Sequence, residues 1–247
     1  MACMTIGQKV KQRIAAFPDG IIFTISDFGL DPSNDQALAK MLSRMNASGK
    51  LSKISKGKYY KPKETPLGII KPADHEIMKD LIEKEGKLIG YVTGPQAFAS
   101  MGLTTQISSS IVIGSRKYRR PIQRGEYKIS FLQQDNIITK DNINLLRILD
   151  AIKMIRDIPA VSPDAACKGI TSLIQGLSPK SRKELELLSL SYTSYVRALL
   201  GAILEYSGYS STVIRNSING LTSYKLPISE SVLPNKSNWN IYEPSRQ

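Results

Sequence analysis

The chain's 247 residues leave room for two domains, and a hydrophobic share of 41% supplies a core and excludes wholesale disorder. No run of about 18 apolar residues occurs, so no segment is expected to span a membrane. The formal charge of +13, with a pI of about 9.7, points to a polyanionic partner such as nucleic acid.

That charge is unevenly placed. Residues 1–72 carry twelve Lys or Arg against five Asp or Glu, and residues 116–128, RKYRRPIQRGEYK, carry six against one. The rest of the chain nearly balances, so the positive charge sits in two places and is not a uniform solubilising coat. The first residues, MACMTIGQKVKQRIAAF, interleave lysines with apolar residues and do not read as a secretory signal. Cys3 and Cys167 have no motif spacing and read as thiols of a reducing cytoplasm.

In chain order, Ile6, Val10, Ile14 and Phe17 fall on one helical face behind Thr5 as N-cap, and Pro18-Asp19-Gly20 stops the helix. IIFTI at 21–25 is a short strand, and Ser26 offers a cap for a short helix. Within DPSNDQALAKMLSRMNASGK, Leu38, Met41, Leu42 and Met45 repeat at helical spacing, with Ser33 or Asn34 as cap and Gly49 at the far end. Gln36, Lys40, Ser43 and Arg44 occupy the opposite, wet side. Next comes LSKISKGKYYKP, with a tight turn at Lys56-Gly57. Pairing about that turn sets Ile54 opposite Tyr59 and Lys53 opposite Tyr60. Alternation then turns Ile54 and Tyr59 inward and leaves Lys53, Ser55, Lys58 and Tyr60 on the outer face.

Helix, strand, short helix, amphipathic helix and basic hairpin is the order of a winged helix-turn-helix, in which the third helix enters the DNA major groove and the hairpin lies on the neighbouring backbone. Residues 1–63 are therefore expected to form that domain. The proline-bearing stretch 64–72 reads as a linker, and 73–247 as a second domain: mixed α and β over 73–135, helical over 141–220, irregular from 221 to 247. In the helical part Ile143, Leu146, Leu149, Ile152, Met154 and Ile155 mark one side of a helix that Pro159 and Pro163 bring to an end. Helices are expected over about 163–176, 179–188 and 191–208. The class is α+β, and Trp239 is a candidate to dock the tail.

Catalytic signatures are absent from the sequence. His75 is the one histidine, and the second ligand of an H-E-x-x-H pattern is Lys79 instead. No C-x-x-C spacing, phosphate-binding Gly-Lys loop or G-x-S-x-G elbow occurs. Gly114-Ser115 could serve as a nucleotidyltransferase turn, but no D-x-D pair exists to bind the metal such chemistry needs. The acids Asp74, Glu76 and Asp80 read as a solvated helix face. No catalytic residue, metal or cofactor is expected, and the chain is not expected to be an enzyme.

The segments ISKGKYYKP, TPLG, GYVTGPQAFASMGLTTQI and RKYRRPI resemble the AbiEi-type antitoxins of type IV toxin–antitoxin systems, over roughly residues 5–135. The resemblance implies a cytoplasmic repressor whose winged helix-turn-helix binds double-stranded operator DNA near its own operon. Its second domain would contribute to antitoxicity, with a co-encoded nucleotidyltransferase toxin as partner. Carried onto this chain, the reading helix is 34–47 and the wing 51–61. Candidate DNA contacts are then Ser33, Asn34, Gln36, Lys40, Ser43, Arg44, Lys53, Ser55, Lys56, Lys58 and Tyr60. Arg116, Lys117, Arg119, Arg120 and Arg124 form a candidate second DNA-contacting patch. The competing reading is a protein-interaction module that neutralises a partner without sequence-specific DNA binding.

Overall fold

The computed structural model describes residues 4–66, 68–106 and 108–244; Cys3 lies outside them. The chain is α+β and divides into two compact units. The first holds residues up to Leu81 together with Gln123–Tyr127, and the second holds Ile82–Ile122 and the chain from Lys128 onward.

In the first unit, helix α1 (Ile6–Ala16) opens on a capping box: the Thr5 hydroxyl accepts from the Gln8 N–H, and the Thr5 N–H donates to Gln8 Oε1 at 2.9 Å. Val10 and Ile14 are buried, whereas Ile6, at the end of the expected apolar face, is exposed. Strand β1 (Ile22–Phe23) leads to a short 3-10 turn at Ile25–Phe28. That turn is capped by Thr24 through Asp27 and not by Ser26. A second 3-10 turn, Pro32–Asn34, is capped by Asp31 through the N–H and hydroxyl of Ser33. Helix α2 (Asp35–Ala47) follows, and beyond it Gly49 takes the left-handed φ of 75° that lets the chain reverse.

Strands β2 (Ser52–Ser55) and β3 (Lys58–Tyr60) complete a sheet of order β1-β3-β2. The core of this unit is Val10, Ile14, Phe23, Leu38, Leu42, Leu51 and Tyr59, flanked by an aromatic group in which Phe17 stacks on Phe23 at 4.7 Å and Phe28 meets both edge-on. The stretch expected to be a linker instead holds a hairpin of β4 (Lys63–Thr65) and β5 (Gly68–Ile70), followed by helix α3 (Asp74–Ile82).

The second unit begins with the small hairpin β6 (Glu83–Lys84) and β7 (Lys87–Leu88). Strand β8 (Gly90–Thr93) pairs antiparallel with β9 (Ser110–Ser115), and helix α4 (Pro95–Ser100) lies between them in sequence. After β10 (Ile122–Arg124), β11 (Tyr127–Gln133) pairs parallel with β9.

Helix α5 (Ile143–Lys153) is the hub of this unit: seven of its residues, from Leu145 to Ile152, are buried, and it packs on β8, α4, α6 (Pro163–Gln175), α7 (Pro179–Ser189) and α8 (Ser194–Tyr206). Pro163 is the first residue of α6, where its missing N–H costs nothing. Cys167 is a free thiol buried on α6, and burial pushes it up to about 12. After α9 (Thr212–Asn216), the tail forms β12 (Tyr224–Lys225) and β13 (Ile241–Tyr242), a parallel pair. Trp239 is buried against Gly201 of α8, where any Cβ would collide with the indole; its Nε1 donates to Glu205 and Arg215 covers its ring. The aperiodic tail is thus docked through its single tryptophan.

Candidate nucleic-acid interface

Helix α2 presents a polar face because its apolar one is used. Leu38 and Leu42 are fully buried and Met41 and Met45 half-buried, which holds Gln36, Lys40, Ser43 and Arg44 on the exposed side. Among the described residues none of these four side chains is hydrogen-bonded or ion-paired. Ser33 is exposed but its hydroxyl already donates to Asp31 at 2.5 Å, and Asn34 is half-buried at the helix start.

The hairpin departs from the expected register. Lys53 lies opposite Tyr59, Ser52 opposite Tyr60, and Ser55 opposite Lys58, with a bulge at Ile54. The Ile54 carbonyl, freed by the bulge, accepts from the N–H of Gly125 at 3.1 Å. Tyr59 is buried as expected, but Tyr60, expected outside, is buried too. The reason is that the outer face of β3 is covered within the same unit. Lys58, on the same side of β3 as Tyr60, reaches Asp80 of α3 at 2.5 Å. Arg124, almost fully buried, donates a bidentate pair of hydrogen bonds to the same carboxylate, at 2.6 and 2.8 Å, and another to the Ile77 carbonyl. Tyr127 adds a bond to Asp74 at 2.6 Å.

Three of the expected DNA contacts are thereby corrected: Lys58 and Arg124 are committed to Asp80 of α3, and Tyr60 is buried. Asp80, read as a solvated acid, is their hub. Burial works to raise its carboxyl, but the hydrogen bonds and charges of Arg124 and Lys58 outweigh it and hold it at about 2. Sequence reasoning missed this cluster because its members come from positions 58, 80 and 124, with no local pattern to join them. Of the hairpin set, Lys53 and Lys56 remain exposed and Ser55 is half-buried.

Asp80→Ala should leave the Arg124 guanidinium buried without its carboxylate and cost the first unit about 2–3 kcal/mol, moderated by the half-exposed position of Asp80 itself. The carboxylate is depressed in the folded state, so its contribution is present above the ordinary value near 4 and lost as pH falls towards about 2. Urea midpoints of wild type and Asp80→Asn should therefore converge over that window.

The second basic stretch also divides. Arg124 belongs to the first unit, while Arg116, Lys117 and Arg120 are exposed in the second, and the half-buried Arg119 places its guanidinium 5.5 Å over the Phe131 ring. Among the described residues no three His, Cys, Asp or Glu side chains cluster as a metal site, and no helix is long and apolar enough to cross a membrane.

The chain is an α+β protein whose first unit carries a helix with an exposed polar and basic face, followed in the chain by a lysine-tipped hairpin. It belongs to the family described as a family of unknown function, DUF6088, which matches residues 9–181. No curated protein matches it. Among solved structures, the crystal structure of the RV2827C protein from Mycobacterium tuberculosis is similar at 13% identity and a TM-score of 0.43, covering 87% of this chain and 82% of that one. A likeness that loose carries no argument about function.

Proposed function

We propose that the first unit binds double-stranded operator DNA and that the protein is a transcriptional repressor, an antitoxin that represses its own toxin–antitoxin operon. One observation carries the DNA-binding part: α2 is clamped into the core by Leu38 and Leu42 while Gln36, Lys40, Ser43 and Arg44 stand exposed together on the opposite face. Arg is the common bidentate reader of guanine and Gln of adenine, so Arg44 and Gln36 are assigned to base edges and Ser43 to either. Lys40, Lys53 and Lys56 are assigned to phosphates, which set register and supply salt-dependent affinity. The antitoxin part rests on the resemblance of the hairpin, GLTTQ and RKYRRPI segments to AbiEi-type proteins, with a co-encoded nucleotidyltransferase as the toxin.

Gel shifts with DNA from upstream of the gene test the first part. Specific retention should persist in excess competitor DNA, and the slope of log affinity against log salt should fall by about one for each phosphate-contacting lysine removed, Lys53→Ala and Lys56→Ala included. Absence of any upstream fragment preferred over competitor would defeat the repressor reading. Co-expression with the neighbouring gene product, scored as rescue of growth, tests the second.

A further inference from the structure

The second unit contains a cavity of about 600 Å³ with an unusual pairing of walls. Its rim carries four cations: Lys84 from β6, and Arg116, Lys117 and Arg119 from the segment that follows β9. The acid lining it is Asp135. Among the described residues none of the three rim cations after β9 has an ion-pair partner, and Lys84 meets its neighbour Glu85 at 3.8 Å with both side chains well exposed. The rest of the lining is aliphatic, Leu88, Ile89, Ile137 and Ile138, and Ile137 is 69% exposed, so apolar surface is left open to water beside positive charge that no ion pair neutralises.

Nucleic acid asks for something else. Backbone phosphates need cations but no aliphatic floor, and unpaired bases need aromatic or guanidinium planes on which to stack. Here no aromatic ring lines the cavity, one of its two guanidinium groups, that of Arg119, is already held over the Phe131 ring, and the apolar part of the lining is aliphatic. We propose that this cavity docks an acidic polypeptide segment, whose aliphatic side chain enters over Ile137 and Leu88 while flanking carboxylates meet Arg116, Lys117 and Lys84. The site belongs to the second unit and α2 to the first, and the proposal does not depend on the DNA-binding reading.

Fluorescence anisotropy on the full chain tests it with three probes: a short labelled peptide of Glu, Asp and Leu, the same peptide with Ser for Leu, and a single-stranded oligonucleotide of equal charge. The leucine peptide should bind saturably and the serine peptide about tenfold more weakly. Ile137→Ser should weaken the leucine peptide about fivefold and Arg116→Glu should abolish its binding, whereas Lys168→Glu, at an exposed position of α6 away from the cavity lining, should change nothing. Ile137 and Arg116 are exposed, and unchanged circular dichroism will show that both variants fold. The proposal is overturned by equal binding of the two peptides, which would mean charge alone, or by no saturable peptide binding. It is equally overturned if the oligonucleotide binds more tightly and is the probe that Arg116→Glu releases, which would make the cavity a nucleic-acid surface.

Discussion

Asp150→Ala should destabilise the second unit by about 4 kcal/mol, near the top of the range for single substitutions. Asp150 sits on α5, a helix with seven buried residues, and has no accessible surface. Its carboxylate accepts three hydroxyl hydrogen bonds, from Tyr91 and Thr93 of β8 at 2.7 Å each and from Tyr192 ahead of α8 at 2.8 Å. Tyr91 reaches it by crossing its strand partner Gly114, where any Cβ would strike the phenol ring. Alanine would leave three buried donors without an acceptor, each costing about 1–3 kcal/mol, offset in part by relief of the buried charge. The urea midpoint reports the loss; a shift as small as that of an exposed substitution would mean the hydroxyls rearrange freely.

The same carboxyl has a pH signature. Burial raises it, against the opposing hydrogen bonds of Tyr91, Thr93 and Tyr192. A raised carboxyl contributes most to stability below its unfolded value near 4 and loses that contribution as pH rises through the folded value. The advantage of wild type over Asp150→Asn should thus grow on acidification, opposite in sign to the Asp80 comparison. Parallel slopes for the two variants would contradict this assignment.

The double variant Lys40→Glu/Arg44→Glu should lower operator affinity at least ~100-fold at physiological salt with an unchanged melting temperature. Both side chains are exposed and unpaired among the described residues, so their replacement disturbs no packing. On the proposed function, the two reversals would exchange attraction for repulsion at the phosphate backbone and remove the bidentate base contact assigned to Arg44, each worth about 1–3 kcal/mol. Arg44→Ala alone should relax preference at one base position, visible as a flattened column when operator variants are selected in vitro. Retention of wild-type affinity by the double variant would remove α2 from the interface and with it the proposed function.

Much of the α+β order follows from local patterning. The 3.6-residue spacing of Leu38, Met41, Leu42 and Met45, the Thr5 cap and the Pro163 start each act within a few residues, so the chain by itself settles where those helices lie and which side of α2 is wet. It also places both basic stretches, and the lone Trp239 marks where the tail docks. What only the tertiary structure decided is which charges are free. Lys58, Tyr60 and Arg124 look like outward-facing contacts in a strand pattern, yet Tyr60 is buried and Asp80 of α3 gathers the two cations. Asp150 looks like one more helical acid until β8 and Tyr192 close over it with three hydroxyls. In each case the deciding partner is tens of residues away in sequence. Periodicity fixes the direction of a side chain relative to its own element, whereas burial and ion pairing depend on which distant element arrives to cover it.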